Sequence, residues 1–78
     1  MIIQNLTKDY YPGDAVMVYD MRRWKNKLTP LSSLLEIAIV VKWYCLIWKG
    51  KKVEVIDIEF EDGFIRERYL TKHARSME

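Results

Sequence analysis

Few side chains here are equipped for chemistry, and their spacing argues for binding rather than catalysis. The one histidine, His73, sits beside Lys72 in a polar stretch, and the one cysteine, Cys45, sits inside an apolar run. Neither has a further His, Cys or carboxylate at metal-ligand spacing, so no metal site and no cofactor are expected. Cys45 reads as a buried thiol, and a single cysteine allows no internal disulfide. Asp57, Glu59 and Glu61 alternate, which places all three on one face of a strand. There they serve better as partners for nearby arginines than as an acid–base pair. No glycine-rich phosphate loop or nucleophile elbow occurs. The chain is therefore expected not to be an enzyme and to act on no small-molecule substrate. The remaining chemical candidate is Arg22-Arg23-Trp24-Lys25-Asn26-Lys27. Its cations are suited to neutralising phosphates and Trp24 to stacking on a base. Lys49, Lys51 and Lys52 extend that patch if folding brings the two loops together.

The elements that position these residues read as strands. Asp62-Gly63 between two apolar-rich runs predicts a hairpin, because a type I′ turn needs positive φ at both central residues. With that two-residue loop, Phe60 faces Ile65 and Ile56 faces Tyr69, while Glu59 faces Arg66 and Asp57 faces Arg68. Tyr11-Pro12-Gly13-Asp14 is turn chemistry, and residues 15–19 follow as a first strand ended by Asp20. Residues 21–33 lack periodicity and read as a long loop. Residues 36–48 are the most apolar part of the chain, and Gly50-Lys51-Lys52 makes a turn. Residues 53–60 and 64–70 are the hairpin strands. Residues 1–11 form a lead-in arm carrying Ile2, Ile3 and Leu6; residues 71–78 form a polar tail with one helical turn over 70–74.

Two patterns go further. The alternation changes phase between Val55 and Ile56, as a β-bulge produces, and bulges bend small sheets toward closure. In residues 37–48 both parities are apolar: Ile37, Ile39, Val41 and Trp43 on one, Ala38, Val40, Tyr44, Leu46 and Trp48 on the other. A strand in a small barrel has one core face, so the second face needs a cover: the 21–35 loop, the N-terminal arm or a partner protein. Residues 31–48 are also mostly apolar between basic flanks, but Glu36 and Lys42 interrupt them at about 2.5–3.5 kcal/mol each in a bilayer. Their Ile, Val and aromatic content favours a strand, so no membrane span is expected.

Composition agrees with one small folded domain. At 78 residues a single core is only marginally stabilising, and 50% hydrophobic residues with three Trp, five Tyr and two Phe supply it. Net charge is +2, unevenly spread: nine Lys/Arg against four Asp/Glu in residues 1–52, and four against seven in residues 53–78. That dipole helps orient the chain against a partner or a copy of itself. Met1-Ile2-Ile3-Gln4 has no basic n-region, so secretion by a signal peptide is not expected.

Several of these motifs together carry a family resemblance. Pro12-Gly13-Asp14-Ala15-Val16-Met17-Val18 resembles the opening of SH3-like small barrels, including KOW-type modules. Ile39-Val40-Val41 falls where those proteins place their second strand, and Phe60-Glu61-Asp62-Gly63 followed by Leu70 resembles their closing hairpin. The pattern is similar to short, mostly uncharacterised SH3-like proteins of tailed bacteriophages, some of which resemble virion components. Ala38 departs from it where a glycine is usual, which weakens transfer from the nucleic-acid-binding KOW modules. The apolar stretch from Trp43 to Trp48 departs toward a larger protein-contact surface.

The expectation is thus an all-β fold, a small SH3-like barrel of four to five strands over residues 12–70. The resemblance implies a non-enzymatic structural or assembly protein of a phage virion, located in the virion or host cytoplasm. Its partners would be copies of itself or other virion proteins, met through Ile2, Ile3, Trp24, Tyr44, Leu46 and Trp48. The alternatives are a nucleic-acid-binding module using Arg22, Arg23, Trp24, Lys25 and Lys27, or a phage regulator that binds a host protein.

Overall fold

The computed structural model describes residues 10–77 of the chain. It is mostly β: β1 (Ala15–Tyr19), β2 (Leu35–Trp48), β3 (Lys51–Glu59), β4 (Ile65–Leu70) and the two-residue β5 (Arg75–Ser76). All pairings are antiparallel, and the strand order is β4-β3-β2-β1-β5. This order forces the sheet to curl. In a flat sheet β4 and β5 would lie four spacings apart, about 19 Å. Only Thr71 to Ala74 separate them in the chain, and Thr71–His73 is a compact 3₁₀ turn. A turn rising about 2 Å per residue cannot span that gap. Tyr69 helps hold the two ends together: its hydroxyl accepts from the Tyr19 backbone N–H at 2.9 Å and donates to the His73 carbonyl at 3.2 Å.

The core follows period two on β1, where Val16 and Val18 are buried and their neighbours are not. Ala38 and Val40 of β2, Ile56 and Ile58 of β3, and Phe60 and Tyr69 close over them, joined by Tyr10. Each fully buried Val or Ile stabilises the fold by about 1.5–3 kcal/mol. Residues 71–77, expected as a polar tail with one helical turn, hold a 3₁₀ turn at Thr71–His73 and also supply a strand paired with Val16 and Met17. Tyr10, expected in the lead-in arm, is part of the core.

The long loop after the first strand is present and holds two 3₁₀ turns, Met21–Arg23 and Leu31–Leu34. Its ends are tied by the Asp20 N–H donating to the Leu34 carbonyl at 2.8 Å. Residues 31–48 are a turn and a strand, and no helix among the described residues is long and apolar enough to cross a membrane.

The closing hairpin differs from expectation near its tip. Phe60 and Phe64 bracket a three-residue loop: the Phe60 N–H donates to the Phe64 carbonyl and the Gly63 N–H to the Phe60 carbonyl, both at 2.9 Å. Gly63 has φ +89°, and Asp62 accepts from the Phe64 N–H, the geometry of a turn closed by a glycine in the left-handed region. Ile58 therefore faces Arg66 and Glu59 faces Ile65, so the expected Glu59–Arg66 pairing does not form. Arg68 then acts as an extra residue at φ +59°, and its N–H donates to Asp57. This restores the expected pairing of Ile56 with Tyr69. The two-residue turn lies instead between β2 and β3, where Lys49 (φ +51°) and Gly50 (φ +76°) are both left-handed.

The expected phase slip also moves. β3 itself runs without an extra residue and buries both Val55 and Ile56. The bulge sits on β2: Val40 pairs with Ile58 and Lys42 with Asp57, so Val41 is the inserted residue. One inserted residue exchanges the faces of β2. Even-numbered Ala38 and Val40 point to the core, while beyond the bulge odd-numbered Trp43 pairs with core residue Ile56.

Candidate protein-contact site

Beyond Val41, β2 continues for seven residues with β3 as its neighbour, because β1 pairs only with residues 35–39. At about 3.3 Å per residue the 14-residue strand is about 46 Å long, comparable with the 43 Å long axis of the protein. The far half of β2 and the start of β3 thus form a two-stranded arm that leaves the core behind. Its root is braced where Trp43 packs edge-on against Tyr10 and Tyr11, with ring centroids 6.5 and 5.8 Å away. The Trp43 indole N–H donates to the Glu54 carboxylate, which also accepts from the Thr71 hydroxyl at 3.1 Å.

β2 sends apolar side chains to both faces of the arm. Tyr44, Leu46 and Trp48 share one face with Val53 and Val55 of β3, and Trp43, Cys45 and Ile47 share the other. Trp48 is 62% exposed and Ile47 70% exposed. Cys45, expected as a buried thiol, is exposed, because the arm carries it past the residues that close the core. Leu46, Trp48, Val53 and Leu70 floor an open groove of about 940 Å³, bordered by Lys52, Glu54, Arg68 and Lys72. Tyr44 lies at the inner end of this face, where its hydroxyl donates to Asp57 at 2.8 Å and the Lys42 ammonium sits 4.9 Å from its ring centre. The Asp57 hydrogen bond, followed by burial, pushes the Tyr44 phenol up.

A second apolar surface lies on the same face of the sheet, nearer its base. Ile37 and Ile39 are exposed and adjoin Met17 and Leu35, with Glu36, Glu59 and Glu61 around them. The inner and outer apolar surfaces lie about 20 Å apart along β2.

No family model, curated protein or solved structure matches this chain. The site therefore rests on its own geometry.

The structure brings Tyr44, Leu46 and Trp48 onto one face, as their shared parity requires. Ile2 and Ile3 lie outside the described residues. Trp24 is 41% exposed but belongs to the loop at the other end of β2. Of the basic loop, Arg22 and Arg23 are engaged in structural pairs. Arg22 binds Asp20 at 2.9 Å and Asp62 at 3.0 Å, with its guanidinium 4.1 Å from the Phe64 ring centre. This clamps the long loop onto the closing hairpin. Asp20 is buried, and the Arg22 hydrogen bond holds its carboxyl below the usual range. Asp62 is lowered chiefly by the Phe64 N–H, then by Arg22. Arg23 pairs with Glu36. Lys25 and Lys27 remain exposed. The 22–27 loop and Lys49, Lys51 and Lys52 stand at opposite ends of β2, so no single basic patch forms from them. The sequence missed the glutamate-bordered surface, whose only signal was the odd-parity pair Ile37 and Ile39.

Proposed function

We propose that this protein is a non-enzymatic contact module with an SH3-like barrel, working by protein–protein association through the β2–β3 arm. The observation that carries this reading is the arm itself, extended beyond the core with apolar β2 side chains on both faces, Ile47 and Trp48 among them exposed. Contiguous exposed apolar surface on a small protein marks an interaction site. The curled strand order and the motifs in residues 12–18 and 60–63 support the barrel assignment, and their resemblance to phage small barrels supports a role in a virion. Nucleic-acid binding is the weaker reading, because Arg22 and Arg23 are already paired with carboxylates.

Solution mass by light scattering, at low and high salt and with short single- and double-stranded DNA, tests the reading. The expected result is association at both salts that ignores DNA and is lost in Trp48→Glu. The variant should stay folded by circular dichroism, since exposed substitutions change stability by about 0.5 kcal/mol or less. A monomer that gains mass only with DNA at low salt overturns the proposal.

A further inference from the structure

The two apolar surfaces on the outer face of the sheet carry opposite borders. The arm groove is edged by Lys52, Arg68 and Lys72; Glu54 also lines it, held by the Trp43 indole and the Thr71 hydroxyl. The inner surface around Ile37 and Ile39 is edged by Glu36, Glu59 and Glu61. None of Lys52, Arg68, Lys72, Glu59 and Glu61 takes part in an ion pair among the described residues. The register places both apolar floors on one face: Ile39 and Glu59 are paired, and Tyr44–Val55 and Leu46–Val53 continue that face past the bulge, while Lys52, paired with Ile47, borders the groove from the other face. Each surface has the apolar floor and the unspent charge that the other needs.

We propose that the occupant of the arm groove is a second copy of this chain, laid antiparallel across the outer face as a two-fold pair. In that arrangement each groove meets the other copy's glutamate-bordered surface, and both contacts form at once. The interface is self-complementary and closes at two chains. The apolar floors supply the affinity; the opposed borders set the orientation, because a parallel arrangement would place like charges together. This inference rests on the protein-contact reading and adds the identity of the partner.

A charge-reversal exchange tests it. One variant carries Lys52→Glu and Lys72→Glu; the other carries Glu59→Lys and Glu61→Lys. All four positions are exposed, and Arg68 is left alone because of its positive φ. Circular dichroism should show both variants folded. Analytical ultracentrifugation should show the wild type as two chains and each variant alone at least tenfold weaker in association. Mixing the two variants should restore the two-chain mass, since the reversed groove then meets a reversed border and the native groove a native one. If the wild type associates but neither reversal weakens it, or if assembly runs past two chains, the two-fold pair is overturned and the contact reading stands. A wild type that stays monomeric up to its solubility limit also overturns the pair. A photo-crosslinking residue at position 48 in expressing cells then decides the broader reading: adducts with other proteins retain it, and their absence sinks it.

Discussion

Strand β2 passes through two environments. Up to Val40 it lies between β1 and β3, and its inward residues Ala38 and Val40 are buried. Past Val41 it has β3 as its partner, and Ile47 and Trp48 stand in solvent. The two halves have similar composition, so hydrophobicity alone does not separate core from contact surface. The number of neighbouring strands does. Where β1, Tyr10 and Tyr69 close over the sheet, apolar side chains stabilise the fold. Where they do not, equally apolar side chains are left for a partner.

The contrast breaks most sharply at the base. Ile58 is fully buried, and Ile58→Ala should cost about 2–5 kcal/mol through lost transfer energy and a residual cavity. Urea denaturation should show a midpoint shift that no single arm substitution approaches.

Tyr69→Phe should come next. It keeps the ring but leaves the Tyr19 N–H without its 2.9 Å acceptor, a loss of about 1–3 kcal/mol. Burial pushes the Tyr10 and Tyr69 phenols up, with Glu54 adding to the effect on Tyr10. Their contribution is complete below the ordinary value of 10.0 and is lost as pH rises toward the raised values. Thermal melts above pH 10 should therefore fall, and less steeply in Tyr69→Phe.

A smaller effect belongs to the clamp that seats the long loop. Asp20 has a depressed folded pKa, so its stabilisation is full above its ordinary value of 3.8. It is lost as pH falls through the folded value, because the unfolded chain takes up the proton first. Melts below about pH 4 should drop in the wild type and drop less in Asp20→Asn.

The smallest change should be a gain in the arm. Lys49 holds φ +51°, a region asparagine tolerates better than lysine. Lys49→Asn should raise stability by up to about 1 kcal/mol in the same urea titration.

Much of the local structure was readable because strand signals are local. Period-two alternation and the Asp20 stop delimited residues 15–19, and the apolar run of residues 36–48 marked the long strand. The placement of Tyr44, Leu46 and Trp48 on one face followed from parity. The hairpin tip was misread because Glu61-Asp62-Gly63 also suits a three-residue turn. In the actual turn, Gly63 and the Asp62 cap settle the matter together with the Phe60–Phe64 pair. Arg22 read as a free cation because its partners, Asp20 and Asp62, come together only when the long loop folds against the hairpin.

By itself, the sequence determined that this chain makes antiparallel strands with apolar surface to spare, since alternation and turn chemistry act between near neighbours. Tertiary structure decided which apolar face became core. One inserted residue at Val41 reverses the sides of everything after it. Whether a side chain is then buried depends on strands paired from distant parts of the chain.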